Sequence, residues 1–107
     1  MNRILSLLIL VLLFSSCSNK FSKIVKSKDF EYKHKMADKY YEAKNYNYAQ
    51  QLYEDIFPFI KGTPGYEEAY YKFAYSYYYE KDYLNAENLF KSFVESFPNS
   101  TKVEECD

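Results

Sequence analysis

The chain is 107 residues long with a net charge of −1, and 21% of its side chains are aromatic: fourteen Tyr and nine Phe with no Trp. That length holds one small domain at most. The aromatic load excludes a disordered chain, two Gly and three Pro are too few to punctuate a many-stranded sheet, and near-neutral charge argues against a dedicated nucleic-acid binder. Two Cys cannot build a disulfide scaffold and a single His offers little to a metal, so a small Tyr-rich helical domain remains.

The first element is an address. Residues 1–17 read MNRILSLLILVLLFSSC, with Arg3 ahead of an apolar run from Ile4 to Phe14. Eleven residues are too few to cross a hydrocarbon core of about 30 Å as a helix, but they suit the core of a secretory signal. Cys17 directly after Ser15 and Ser16 makes the segment resemble a bacterial lipoprotein signal. That resemblance implies cleavage after residue 16 and acylation (palmitate-type lipidation) of Cys17. Phe14 stands where Leu is usual, with Leu13 one place earlier. Ser18, rather than Asp, follows the cysteine, which in the usual sorting rule favours the outer membrane. Residues 17–28 then read as the acylated Cys and a polar tether. Its Lys20, Lys23, Lys26 and Lys28 are interleaved with Phe21, Ile24 and Val25. Either the lysines favour an anionic leaflet or the stretch is a solvated linker.

Beyond Asp29 the sequence repeats. Ala37, Tyr40, Tyr41, Lys44, Tyr46, Ala49 and Leu52 recur 37 residues later as Ala74, Tyr77, Tyr78, Lys81, Tyr83, Ala86 and Leu89. Tyr53 with Phe90 and Ile56 with Phe93 extend the frame. A period in the thirties signals stacked supersecondary units, and small-aromatic-turn-small-aromatic spacing is the tetratricopeptide pattern. The fold class predicted is all-α: tetratricopeptide-repeat helical hairpins forming an α-solenoid, with two full repeats at 29–65 and 66–100 and the start of a third at 101–107. The helices are predicted at 29–44, 46–60, 66–81 and 83–97. Ala37, Ala49, Ala74 and Ala86 are expected where helices approach closely. Tyr40 with Tyr53, and Tyr77 with Phe90, are expected to fill the wider spaces, with Tyr46 and Tyr83 opening the second helices. Pro98 ends the second hairpin because it cannot continue a helix. The two glycines fall in Lys61-Gly62-Thr63-Pro64-Gly65, where about three extra residues stretch the usual period of about 34. The sequence stops inside the opening of the third copy, so we expect a fragment of a longer array.

No catalytic constellation stands out. His34 lies in a lysine-rich polar stretch without a positioned partner, and Cys106 beside Glu104 and Glu105 lacks metal-site spacing. We expect no catalytic residues, no metal, no cofactor and no small-molecule substrate. The surplus tyrosines either line a peptide groove or pack against a further repeat. Groove candidates are Lys39, Glu42 and Ala43 on the first helix and Tyr75, Ser76 and Tyr79 on the third, because Tyr supplies large contact area with few rotors.

Joined to the signal, several strings carry a more specific resemblance. They are Ser27-Lys28-Asp29, the runs 40–46 and 49–56, Lys61-Gly62-Thr63, Glu67-Glu68-Ala69, Lys81-Asp82-Tyr83-Leu84, Phe90-Lys91-Ser92-Phe93, Phe97-Pro98-Asn99-Ser100 and Val103-Glu104-Glu105. Together they resemble the N-terminal part of the outer membrane protein assembly factor BamD family, in its Bacteroidetes-type form. Lys61 stands where Arg is common before Gly-Thr. The resemblance implies a non-enzymatic outer-membrane lipoprotein, lipid-anchored and periplasm-facing, within the machinery that assembles β-barrel proteins. Its implied partners are unfolded β-barrel substrates and the barrel-forming subunit, with no nucleic acid. The alternative is another periplasmic tetratricopeptide lipoprotein scaffolding an envelope or cell-division complex. A lipid-anchored hydrolase is a more distant third.

Overall fold

The computed structural model describes residues 20–103, and the architecture there is all-α, with no strand among the described residues. The expected signal, Cys17, Cys106 and most of the expected start of a third repeat at 101–107 lie outside the described residues. Four long helices follow one another: α1 (Phe30–Glu42), α2 (Tyr46–Ile60), α3 (Gly65–Tyr79) and α4 (Tyr83–Ser96). Each packs on the next, and α1 also touches α3, while α4 touches neither α1 nor α2. Short connections make consecutive helices antiparallel neighbours, so the hairpins α1–α2 and α3–α4 stack in chain order.

Local chemistry explains the boundaries. The Asp29 side chain accepts from the Tyr32 N–H at 3.1 Å, and Asp82 accepts from the Asn85 N–H at 3.4 Å, each satisfying an N–H that the first turn leaves free. Glu67 and Glu68 lie in the first turn of α3, where negative charge complements the helix dipole. The two hairpin turns are near-copies. Lys44 and Lys81 adopt left-handed φ values of 65° and 66°. Asn45 N–H donates to the Tyr40 carbonyl at 2.8 Å and Lys44 N–H to that of Tyr41 at 3.0 Å; Asp82 and Lys81 repeat the pattern onto Tyr77 at 2.9 Å and Tyr78 at 3.0 Å. These paired bonds close the carbonyl ends of α1 and α3 in a Schellman arrangement. The 37-residue sequence period therefore recurs in backbone geometry down to the turn dihedrals.

The hairpins are joined by the glycine loop. Gly62 has φ of 86°, and Thr63 bonds the Ile60 carbonyl through both its N–H (2.9 Å) and its hydroxyl (2.6 Å). Gly65 opens α3 directly against α1: a Cβ there would lie 3.1 Å from His34 Cε1, tight enough to displace the imidazole. After α4 the Ser100 hydroxyl hydrogen-bonds the Glu67 carboxylate, tying the following segment back to α3.

The core runs through both hairpins. Ala37, Ala49, Leu52, Tyr53, Ile56, Ala69 and Phe73 form one cluster, and Ala74, Ala86 and Phe93 are buried with it in the second hairpin. All four frame alanines are closed to solvent, as close helix approach requires. Tyr40 packs on Phe21 and Tyr48, at centroid separations of 5.8 and 5.3 Å. Phe90 receives the edge of Tyr75 at 4.9 Å, whereas Tyr77 lies against Phe73 on its own helix. Tyr46 is half-buried, Pro98 is exposed, and Tyr83 is exposed beside Tyr78, because no later hairpin in the described residues covers the start of α4.

One difference concerns the expected tether. Residues 20–26 are helical, and Ile24 is buried in the core cluster with Phe21 and Val25 packed against it. Phe21 stacks on Tyr48 at 3.7 Å with the ring planes 7° apart. Three apolar residues at i, i+3 and i+4 make one helical face, and that face has a partner on the first hairpin.

Candidate functional site

The seam where α1 meets α3 brings an ionic network and a half-exposed cluster of tyrosines side by side. Spacings of three and four residues put His34, Asp38 and Tyr41 on one face of α1, and Glu68, Lys72, Tyr75 and Tyr79 on one face of α3.

One half of the seam is a charged network. Tyr53, fully buried on α2, donates its phenol hydrogen bond to Asp38 Oδ1 at 2.6 Å. Lys72 Nζ lies 3.4 Å from the same carboxylate and 3.6 Å from Glu68, and His34 Nε2 is 3.9 Å from Asp38 Oδ2. Lys72 also sits 5.8 Å over the Tyr41 ring, within cation–π range. Burial, and then the hydrogen bond to Asp38, push the Tyr53 phenol far above its ordinary range. It stays protonated and holds Asp38 in place.

The other half is an aromatic sheet of rings. Tyr79 stacks on Tyr46 at 5.2 Å and on Tyr75 at 5.6 Å, and meets Tyr41 at 6.5 Å. Tyr78 bridges Tyr75 at 5.9 Å to Tyr83 at 5.6 Å. The Tyr41 phenol is raised by burial first and then by the neighbouring phenols of Tyr79, Tyr46 and Tyr75. About half of Tyr78 (47%) and Tyr79 (49%) remains open to solvent. The surface therefore offers ring faces and hydroxyls side by side.

The candidates separate on this surface. Tyr75 and Tyr79 lie at its centre. Lys39, Glu42 and Ala43 are exposed on α1 or its cap and make no ring contact or ion pair with the tyrosines among the described residues. Ser76 must be removed from the groove: it is fully buried, and its hydroxyl is spent on the Phe73 carbonyl at 2.5 Å. Asp38, Tyr41 and Lys72 were missed. The 37-residue frame could have found Asp38, because it aligns with Tyr75. His34, expected to be an unpartnered surface residue, instead packs beside Asp38, Gly65 and Tyr53. Lys33 is another surprise, with 6% exposure and its ammonium 3.6 Å from Asp55.

Among the described residues no His, Cys, Asp and Glu group has metal-site geometry, and no helix is long and apolar enough to cross a membrane. No family model, curated protein or solved structure matches the chain.

Proposed function

We propose that this chain is a non-enzymatic, lipid-anchored tetratricopeptide scaffold of the outer membrane, facing the periplasm. In that role it binds unfolded β-barrel segments within the barrel-assembly machinery, as members of the BamD family do. The observation that carries the reading is the pair of hairpins with matching turns at a 37-residue offset, presenting a half-exposed tyrosine surface along α1 and α3. The lipoprotein-like signal ending in Cys17 and the strings that resemble the assembly factor support the location and the partner class.

An extended strand rich in alternating aromatics fits such a surface. Stacking on Tyr75 and Tyr79 supplies affinity, while phenol hydroxyls take backbone groups. Fluorescence anisotropy with a labelled peptide ending in an aromatic β-signal tests this. Replacing both Tyr75 and Tyr79 with Ala is expected to weaken binding about tenfold or more, since buried aromatic anchors are worth about 1–2 kcal/mol each. Equal affinity in the double variant overturns the site. Failure of the acylated protein to co-purify the barrel-forming subunit overturns the machinery assignment. For the anchor, Cys17→Ser is expected to move the protein out of the membrane fraction.

A further inference from the structure

The helix at residues 20–26 packs on the first hairpin, and its outer face is basic. Phe21, Ile24 and Val25 point into the first hairpin, while Lys20, Lys23, Lys26 and the following Lys28 are exposed. None of these four lysines pairs with a carboxylate among the described residues. The junction to α1 is also fixed: Ser27 N–H donates to the Ile24 carbonyl at 3.1 Å, and Asp29 N–H to the Ser27 hydroxyl at 3.1 Å.

Charge is segregated along the chain. Residues 18–28 hold those four lysines and no acid, whereas from Asp29 onward nine lysines stand against fifteen carboxylates. An anionic surface would therefore repel the hairpins and attract only the segment at 20–28. Position completes the argument. Lys20 is three residues beyond Cys17, and three residues span about 10 Å at most. That is about one Debye length at 0.1 M salt, so the start of the basic face, at Lys20, stays within electrostatic reach of any leaflet that holds the anchor.

We propose that residues 20–28 form a docking face for anionic phospholipid headgroups, which orients the hairpins on the membrane. The proposal rests on acylation of Cys17. Docking lays the first hairpin beside the leaflet and leaves α3, α4 and the tyrosine surface outward, so the anchor acts as an oriented mount.

The test uses the acylated full chain carrying Cys106→Ser, with a fluorophore at Ser22→Cys or, as the remote control, at Asn88→Cys. The protein is bound to vesicles containing a headgroup nitroxide quencher. Vesicles of phosphatidylcholine are compared with vesicles that also contain phosphatidylglycerol. Strong quenching at position 22, weak quenching at position 88, and loss of the former in pure phosphatidylcholine or at high salt are expected. Replacing Lys20, Lys23, Lys26 and Lys28 with Gln is expected to lower the docked-to-undocked ratio about a hundredfold or more, at about fivefold per lysine, without changing vesicle flotation. Far-UV circular dichroism checks that the variant keeps its helicity, and the salt series on the unaltered lysines gives the same answer without it. Quenching that ignores lipid charge, or survives both the substitutions and salt, overturns the proposal. Failure of the unsubstituted protein to float with neutral vesicles overturns the anchor and the docking face together, through a separate readout.

Discussion

Replacing Tyr53 with Phe removes one hydroxyl from the middle of the fold and leaves its ring volume in place. In the native state that hydroxyl donates to Asp38 at 2.6 Å from a fully buried position. A hydrogen bond to a charged acceptor contributes about 1.5–3 kcal/mol. Asp38 keeps Lys72 at 3.4 Å and is one-third open to water, so its carboxylate is not orphaned and the cost falls at the low end, about 1.5 kcal/mol at pH 7. The pH dependence makes the argument specific. The folded phenol is pushed above its ordinary value of 10.0, so its contribution is fully present below pH 10 and is lost as pH rises, because the unfolded chain alone releases the proton. At pH 11, one unit above the unfolded value, the loss is about 1.4 kcal/mol. The other tyrosines titrate in both proteins and cancel in the difference. Urea unfolding followed by circular dichroism should therefore show Tyr53→Phe clearly less stable at pH 7 and nearly equal to the parent at pH 11. A stability difference that is the same at both pH values refutes the buried, hydrogen-bonded phenol.

Three further outcomes follow from the packing. Ala86→Leu places a larger side chain in a closed contact of the second hairpin and is expected to cost about 1–3 kcal/mol through overpacking; an unchanged urea midpoint refutes the frame. Lys81→Gly relieves a left-handed residue with φ of 66°, a strain of about 1–2 kcal/mol partly offset by the extra chain entropy of glycine. A net gain of about 0.5–1 kcal/mol is expected in thermal unfolding, and a loss refutes the strain argument. Phe21→Ala removes the ring stacked on Tyr48 and is expected to undock the helix at 20–26, so that trypsin cuts after Lys23 and Lys26 well before the hairpins unfold; unchanged cleavage refutes the docking.

The boundaries of the helices and the placement of the frame alanines were legible from residue order, because both depend on neighbours close in the chain. Asp29 and Asp82 cap the helices that follow them, glycine marks the loop at 61–65, and Ala37, Ala49, Ala74 and Ala86 recur at the crossings. Lys39 and Ser76 show where that information ends. They occupy the same frame position, yet Lys39 is exposed on α1, while Ser76 is buried on α3, which packs on α1, α2 and α4. The repeat specifies a register, and the neighbour specifies the solvent. The network of Tyr53, Asp38 and Lys72 joins three helices, so no local pattern could announce it. The lysine-rich opening was equally ambiguous on paper, since Phe21, Ile24 and Val25 form a helical face only if something waits to receive it. Local order set the elements and their period. The stacking of one hairpin on the next decided which polar groups meet and which tyrosines stay open, because those contacts form between residues that only folding brings together.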